Sequence, residues 1–202
     1  MRRNRQNPDA SLGSRGRTGI ETEEDRVMNR SYWLMKSEPG AYGMDDLERD
    51  RVEPWDGIRN YEARNFMRDE MNIGDRALFY HSNVKPPVIV GQMAICSEPY
   101  PDPTQFDPES NYFDEKSSES NPRWQLVDVS YLETFPSPVT RNQLKEDALL
   151  SEMMLFKRNR LSITRVTEQE YQKVLELAGA EISINDSAPG VKRDNLGKQR
   201  NG

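Results

Sequence analysis

Three short segments of the sequence place aromatic side chains beside hydrogen-bonding ones. They are residues 32–39, 55–61 and 78–83, and each mixes rings with hydroxyl, amide, carboxylate or cationic groups. Aromatic faces and a few convergent polar groups at one rim form a pocket for a flat, polar ligand. The sequence therefore predicts a binding pocket before it predicts any catalytic group.

A nucleobase is one ligand that such a pocket suits, and it needs aromatic walls. A base drawn out of its stack loses stacking energy that aromatic side chains must replace. The candidates are Trp33, Trp55 and Tyr80. Trp55 follows Pro54 in a loop-like segment, where packing alone explains a tryptophan less well. Trp33 and Tyr80 fit core positions on strands equally well.

The edge of a base needs groups that both donate and accept hydrogen bonds. Asn60, Ser82 and Asn83 have this capacity. Asn60 fits equally well as the residue that starts a helix. Lys36 and Arg160 would suit a phosphate or a base carbonyl, although isolated cations more often lie on a solvated surface.

The sequence lacks the residue patterns that are typical of metal sites and of nucleotide-phosphate sites. His81 is the sole histidine and Cys96 the sole cysteine, and no spacing of acidic residues resembles a metal loop. The glycine-rich motifs that cradle nucleotide phosphates are absent from the sequence. We therefore expect no metal, no cofactor and no catalytic residue. One alternative stays open, an enzyme acting on a nucleotide or small metabolite with His81 as general acid or base and Ser82 or Cys96 assisting.

Short strands and helices must position these residues. Alternating or apolar runs predict five strands, at residues 31–36, 76–81, 87–97, 123–134 and 162–166. Without a steady β-α-β rhythm, these strands favour a curled mixed or antiparallel sheet and a mixed α/β (α+β) fold class.

Three helices are predicted by their capping and apolar patterns. Thr167 and Glu170 have the spacing of a capping box, and Gly179 is a plausible stop for the same helix. The box spacing recurs from Thr140, and residues 60–71 carry an apolar stripe at helical spacing.

Composition suggests one domain between two tails. Of 202 residues, 31–179 carry the apolar pattern, whereas 1–30 form an Arg-rich and acidic segment and 180–202 a second polar one. We expect both tails to be disordered. The first tail could instead be a basic arm that touches phosphates, and a start at Met28 would leave residues 1–27 untranslated.

Three further expectations concern the membrane, the cellular compartment and the oligomeric state. The sequence contains no hydrophobic run long enough for a signal peptide or membrane span, so we expect no membrane partner. A single cysteine favours a reducing compartment, cytoplasmic or, in a eukaryote, nuclear. We expect a monomer.

The pocket segments, together with residues 85–91, 100–107 and 160–162, closely resemble the EVE domain family over about residues 31–179. The resemblance implies a PUA-like fold, a curled five-stranded β-barrel surrounded by short helices. It also implies that four of these segments line or border a ligand pocket. The candidate ligand-binding residues are then Trp33, Lys36, Ser37, Trp55, Asn60, Tyr80, His81, Ser82, Asn83 and Arg160.

The expected function is a non-enzymatic nucleic-acid-binding module that recognises a modified base, with modified cytosine in DNA favoured, flipped into the pocket. Modified RNA is an alternative partner that differs in its 2′-hydroxyl. A second alternative function is a surface at residues 55–61 that binds another protein. The net charge of −6 predicts weak affinity for unmodified nucleic acid.

Overall fold

The main β-sheet of the computed structural model, which describes residues 30–180, has six strands. In chain order they are β1 (Tyr32–Ser37), β2 (Val52–Pro54), β3 (Arg76–His81), β4 (Val88–Ile95), β7 (Asp128–Thr140) and β8 (Ile163–Val166). A separate pair consists of β5 (Tyr100–Pro101) and β6 (Gln125–Leu126).

The sheet is mixed, with the spatial order β2-β7-β4-β3-β1-β8. Its central strands β1 and β3 are parallel, and every other neighbouring pair is antiparallel. Register shifts in the β3–β4 and β4–β7 ladders mark bulges, which bend and twist a sheet. The predicted fold class, a mixed α/β protein with a curled sheet and short helices, is confirmed.

Within residues 30–180, five α-helices cover the two faces of this sheet. They are α1 (Met44–Asp50), α2 (Tyr61–Asp69), α3 (Arg141–Glu146), α4 (Met154–Lys157) and α5 (Glu168–Ala178). Both capping boxes form as predicted, at Thr140 and Thr167. Gly179 ends α5 in the left-handed conformation, with φ of 63°.

Side-chain alternation along β1 divides the apolar residues between two cores. Trp33 and Met35 enter the core under α1 and α2, whereas Leu34 enters the core under α3, α4 and α5. Both faces of β1 and β3 are therefore covered, as expected for strands at the centre of a sheet.

The sequence missed two strands, β2 and β5, and two helices, α1 and α4, and it merged two strands into one. The predicted strand 123–134 is β6 followed by the longer β7, and β2 adds a sixth strand to the sheet. With only three residues, ending at Pro54, β2 is too short to show a period and pairs only with β7 at the edge. α1 begins at Met44 after Gly43, which offers no side-chain cap to signal the start.

The predicted tails lie outside the described residues, apart from Arg30 and Ala180 at their inner ends. Between those two residues, the structure has no helix with both the length and the apolar character that a membrane crossing requires.

Candidate functional site

A cleft of about 720 Å³ opens where the parallel strands β1 and β3 end. Ser37 and His81 are partners in the register, and the Ser82 amide donates to the Ser37 carbonyl over 2.8 Å. Because parallel strands deliver their carboxyl ends to one edge, the polar residues that follow each strand meet there. This geometry brings together two of the three segments singled out in the sequence.

Half of the predicted residues line this cleft. They are Lys36, Ser37, Trp55, Ser82 and Arg160. The walls also include residues outside the ten candidates, namely Asp56 from segment 55–61 and, from elsewhere in the sequence, Tyr42, Glu53, Tyr112 and Asn159.

Trp55 is part of the core as well as the wall. It is 6% exposed, and its ring meets Phe79 edge-on with 5.4 Å between centroids. Only a strip of the indole therefore reaches the cleft. A Trp55→Ala change would remove core packing as well as wall, at about 3–5 kcal/mol, so it cannot separate binding from folding.

Tyr112 supplies the accessible aromatic face. Its side chain is 44% exposed, and its ring rests against Gly57, which has a φ of 72°. A Cβ built on Gly57 would lie 2.7 Å from Tyr112 Cζ, so the glycine makes room for the ring. Tyr112 was missed because it lies in the polar segment 107–122. The Tyr112–Phe113 pair inside that segment is the signal that could have found it.

Arg59 and Asp102 hold Tyr112 in place. Arg59 Nη1 binds Asp102 Oδ2 over 2.7 Å, and Arg59 Nε donates to the Tyr112 carbonyl over 2.7 Å. Asp102 Oδ2 also accepts the Gly57 amide at 3.0 Å. The same carboxylate thus connects the glycine and the arginine that support the ring.

A smaller pocket of about 380 Å³ shares Lys36, Ser82 and Asn159 with the cleft. Tyr80 and Asn83, two further predicted residues, line this pocket. Lys36 and Tyr80 are partners in the β1–β3 register, so their side chains share one face. Burial, and secondarily the nearby Arg141 cation, lower the pKa of Lys36 to about 8.

The two serines keep their acceptor capacity. Ser37 Oγ donates to the Tyr42 carbonyl over 2.7 Å, and Ser82 Oγ donates to the Ser37 carbonyl over 3.1 Å. Each hydroxyl has one proton, so the oxygen lone pairs remain available to a ligand. Asn83, at a φ of 56°, donates from Nδ2 to Glu38 Oε2 over 3.2 Å.

Asp56 adds a carboxyl group at the mouth of the cleft. Although solvent reaches this side chain, desolvation by the surrounding walls, followed by repulsion from Asp102, raises its pKa, and Arg59 opposes the shift. Asp56 can accept hydrogen bonds when charged and donate one when protonated.

Three predicted residues lie outside both cavities. Trp33 is 1% exposed, and its Nε1 donates to Asp75 Oδ2 over 2.9 Å, so its ring is a core element rather than a wall beside Trp55. Asn60 caps α2, accepting the Glu62 and Ala63 amides at Oδ1.

His81 has a local bonding role. Its Nε2 accepts the Met44 amide over 3.2 Å at the start of α1. Burial lowers its pKa, which favours the neutral ring that this bond requires. The ring also meets Phe79 edge-on.

The described residues also bear on two other kinds of site, a metal centre and a reactive thiol. Across residues 30–180, no group of three His, Cys, Asp or Glu side chains is placed to hold a metal ion. Burial, reinforced by Asp128, raises the pKa of Cys96 to about 11, which keeps the thiol protonated. Neither His81 nor Cys96 lines the cleft.

The fold and the cleft define a small mixed α/β domain with an open cavity at the end of two parallel strands. The family model of the EVE domain matches residues 31–177, and this chain belongs to the EVE domain family. The predicted family is thereby confirmed.

Named relatives extend this assignment. Human thymocyte nuclear protein 1 is 40% identical over 172 residues, covering 76% of each chain. A solved structure of a hypothetical protein from Leishmania major is 40% identical with a TM-score of 0.73, covering 76% of this chain and 98% of that one. The structure of the human protein in complex with 5-methylcytosine-containing DNA is 40% identical with a TM-score of 0.70, covering 75% and 99%.

Proposed function

We propose that this chain is a non-enzymatic nucleic-acid-binding module that takes a modified base, a modified cytosine in DNA, into the cleft. The cleft at the ends of β1 and β3 carries the proposal. The human relative solved with 5-methylcytosine DNA supports it.

The size and chemistry of the cleft suit a base. Its volume of about 720 Å³ lies within the range of about 300–1,000 Å³ for small-molecule sites. A base inside a duplex cannot reach such a cavity, so it must be extruded. Tyr112 offers the open face for stacking, and the edge of Trp55 forms part of the wall. In this proposal Tyr112 takes the role that the sequence gave to Trp33.

Polar groups around the cleft suit the edge of cytosine. Cytosine presents an amino donor together with ring-nitrogen and carbonyl acceptors. Asp56 can accept from the amino group, a pairing that acidic side chains commonly make with cytosine. The lone pairs of Ser37 and Ser82 are further acceptors.

Cations at the rim suit the backbone of the strand. Lys36 and Arg160 both line the cleft, and Arg160 is exposed. With a net charge of −6, non-specific attraction to phosphates is weak, and the base pocket must supply the selectivity. Relatives named as nuclear proteins favour a nuclear location for a eukaryotic chain.

Binding of the full 202-residue chain to short oligonucleotides tests the proposal. DNA and RNA versions each carry one central cytosine, 5-methylcytosine, 5-hydroxymethylcytosine or methyladenine, and fluorescence anisotropy gives the Kd. We expect one modified cytosine in DNA to bind more tightly than unmodified cytosine. Equal or absent binding across the DNA and RNA series would refute base recognition, and preference for a modified RNA would move the proposal to that partner.

Mass spectrometry of the bound oligonucleotides addresses catalysis. We expect every oligonucleotide to be recovered with its mass unchanged after prolonged incubation. A new product that His81→Ala abolishes, with binding preserved, would establish the enzyme alternative instead.

A further inference from the structure

The smaller pocket contains two cations, Lys36 and Arg141, that form no ion pair within residues 30–180. Lys36 Nζ donates to the Asn159 carbonyl over 2.9 Å and has two further N–H groups. The Arg141 guanidinium lies 4.9 Å from the Phe156 ring centroid, and in the described part of the chain it forms no ion pair. No Asp or Glu side chain is among the residues that line this pocket.

The charge of Arg141 is close enough to affect the pKa values of both Lys36 and Tyr80 in this pocket. Arg141 is the charged neighbour that, after burial, lowers the pKa of Lys36. Arg141 also opposes the rise that burial causes in the pKa of Tyr80. Placing two like charges together without a partner is unfavourable, and an anion between them would relieve the repulsion.

We propose that this pocket binds a phosphate group through Lys36 and Arg141, with Ser82, Asn83 and Asn142 as neighbouring polar side chains. Nothing in the sequence had suggested Arg141. Guanidinium and ammonium groups are the usual partners of phosphate oxygens in proteins.

The position of the pocket suits the phosphate of a nucleotide whose base lies in the cleft. The pocket and the cleft share Lys36, Ser82 and Asn159, so the two cavities adjoin. A nucleotide can then place its base in the cleft and its own phosphate in the pocket. This part of the inference rests on the proposed function, whereas binding of a phosphate group as such does not.

Inorganic phosphate tests the site without any base. NMR follows the Lys36 side-chain signals of the full chain, assigned by their loss in Lys36→Met. Titration with phosphate should shift these signals and raise the pH at which Lys36 titrates. Arg141→Gln should abolish both effects, whereas Lys145→Gln, which removes an exposed cation from the same helix α3, should preserve them. Unchanged Lys36 signals in the unmodified chain would overturn the proposal, whatever the folding of the variants.

A nucleoside and its monophosphate test the link to the base. We expect 5-methyl-2′-deoxycytidine 5′-monophosphate to bind about tenfold more tightly than 5-methyl-2′-deoxycytidine. Arg141→Gln should remove this gain, Arg141→Lys should keep part of it, and Lys145→Gln should keep all of it. The corresponding experiment with modified DNA measures how the logarithm of the binding constant depends on the logarithm of the salt concentration. The magnitude of this slope should fall by about 1 in Arg141→Gln.

The results separate the two proposals. Phosphate binding without nucleoside binding would support the phosphate site and refute base recognition. Nucleoside binding to which the phosphate adds nothing would refute the phosphate site and leave base recognition standing.

Discussion

Arg59 Nη1 binds Asp102 Oδ2 over 2.7 Å, and this ion pair joins a cleft segment to the loop that carries Tyr112. Asp102 is 1% exposed, and its Oδ1 accepts the Thr104 amide and hydroxyl. A carboxylate so buried is stable only while its partners remain in place. The position of the Tyr112 ring therefore depends on a residue that does not line the cleft.

Asp102→Asn should destabilise the protein and loosen the Tyr112 loop. Asparagine has one acceptor oxygen, so either the Arg59 and Gly57 donors at the Oδ2 position or the Thr104 donors at the Oδ1 position lose their acceptor, at about 3 kcal/mol. Chemical denaturation gives the stability, and hydrogen exchange gives the protection of residues 107–122. Asp69→Asn, in the exposed pair with Arg68, is the control and should leave both unchanged. Equal protection in Asp102→Asn would contradict the linkage.

Tyr112→Ala should weaken binding of the preferred oligonucleotide without unfolding the protein. Loss of one base–aromatic stack costs about 1–3 kcal/mol of binding free energy. Phe113→Ala is the matched control because Phe113 is also 44% exposed but does not line the cleft. Anisotropy should show weakened binding for the first variant alone. Equal losses in the two variants would indicate a loop effect rather than stacking.

Gly57→Ala should displace the Tyr112 ring. Its left-handed backbone makes alanine unfavourable by about 1–2 kcal/mol, and the added Cβ occupies the space of the ring. Gly179→Ala isolates the backbone effect, because Gly179 has a φ of 63° with no atom within 4 Å of the added Cβ. Both variants should lose stability, but only Gly57→Ala should lose oligonucleotide affinity. Retained affinity would show that the ring position does not matter.

Trp33→Phe should affect stability and leave binding unchanged. It removes the Nε1 bond to Asp75, a carboxylate that also accepts the Ser31 and Asn72 amides. A hydrogen bond to a charged group contributes about 2 kcal/mol, which denaturant unfolding would detect. If the folded variant instead lost selectivity for the modified base, Trp33 would belong to the binding site after all.

The Lys36 pKa of about 8 predicts a change in anion binding at mildly alkaline pH. The groups around it are Arg141 and Tyr80 in the smaller pocket and Glu38, Glu53, Asp56 and Arg160 in the cleft. As pH rises through about 8, the ammonium is lost and affinity for phosphate should fall. Lys36→Met should remove this pH dependence. A Lys36 NMR titration near the unperturbed pKa of about 10.4 would contradict the prediction.

The same shift affects stability with a defined sign. Because the folded pKa lies below the unfolded one, the unfolded chain binds more protons between the two values. The penalty from a charged Lys36 is therefore fully present below pH 8 and is relieved as the pH rises. The stability of the unmodified chain should approach that of Lys36→Met across this interval, as measured by denaturant unfolding at several pH values.

Local signals in the sequence were sufficient for much of the architecture. Capping boxes at Thr140 and Thr167 and a left-handed glycine at 179 act over a few residues, so they predict helix ends without any tertiary information. Alternation likewise predicts which side chains of β1 share a face. Alternation does not show where along the strand a pocket opens. Trp33 and Ser37 lie on the same face of β1, but Trp33 is buried in the core whereas Ser37 lines the cleft.

Patterns among neighbouring residues were enough to predict the family, the fold class, the strands β1, β3, β4 and β8, and the polar residues that follow β1 and β3. Packing of the folded chain, in contrast, places Trp33 in the core, Tyr112 at the cleft and Arg141 beside Lys36. The difference between the two sets lies in the distance along the chain between the residues involved. Strand alternation and helix caps depend on residues close together in the sequence. The contacts of Trp33, Tyr112 and Lys36 form only when remote segments of the chain pack together.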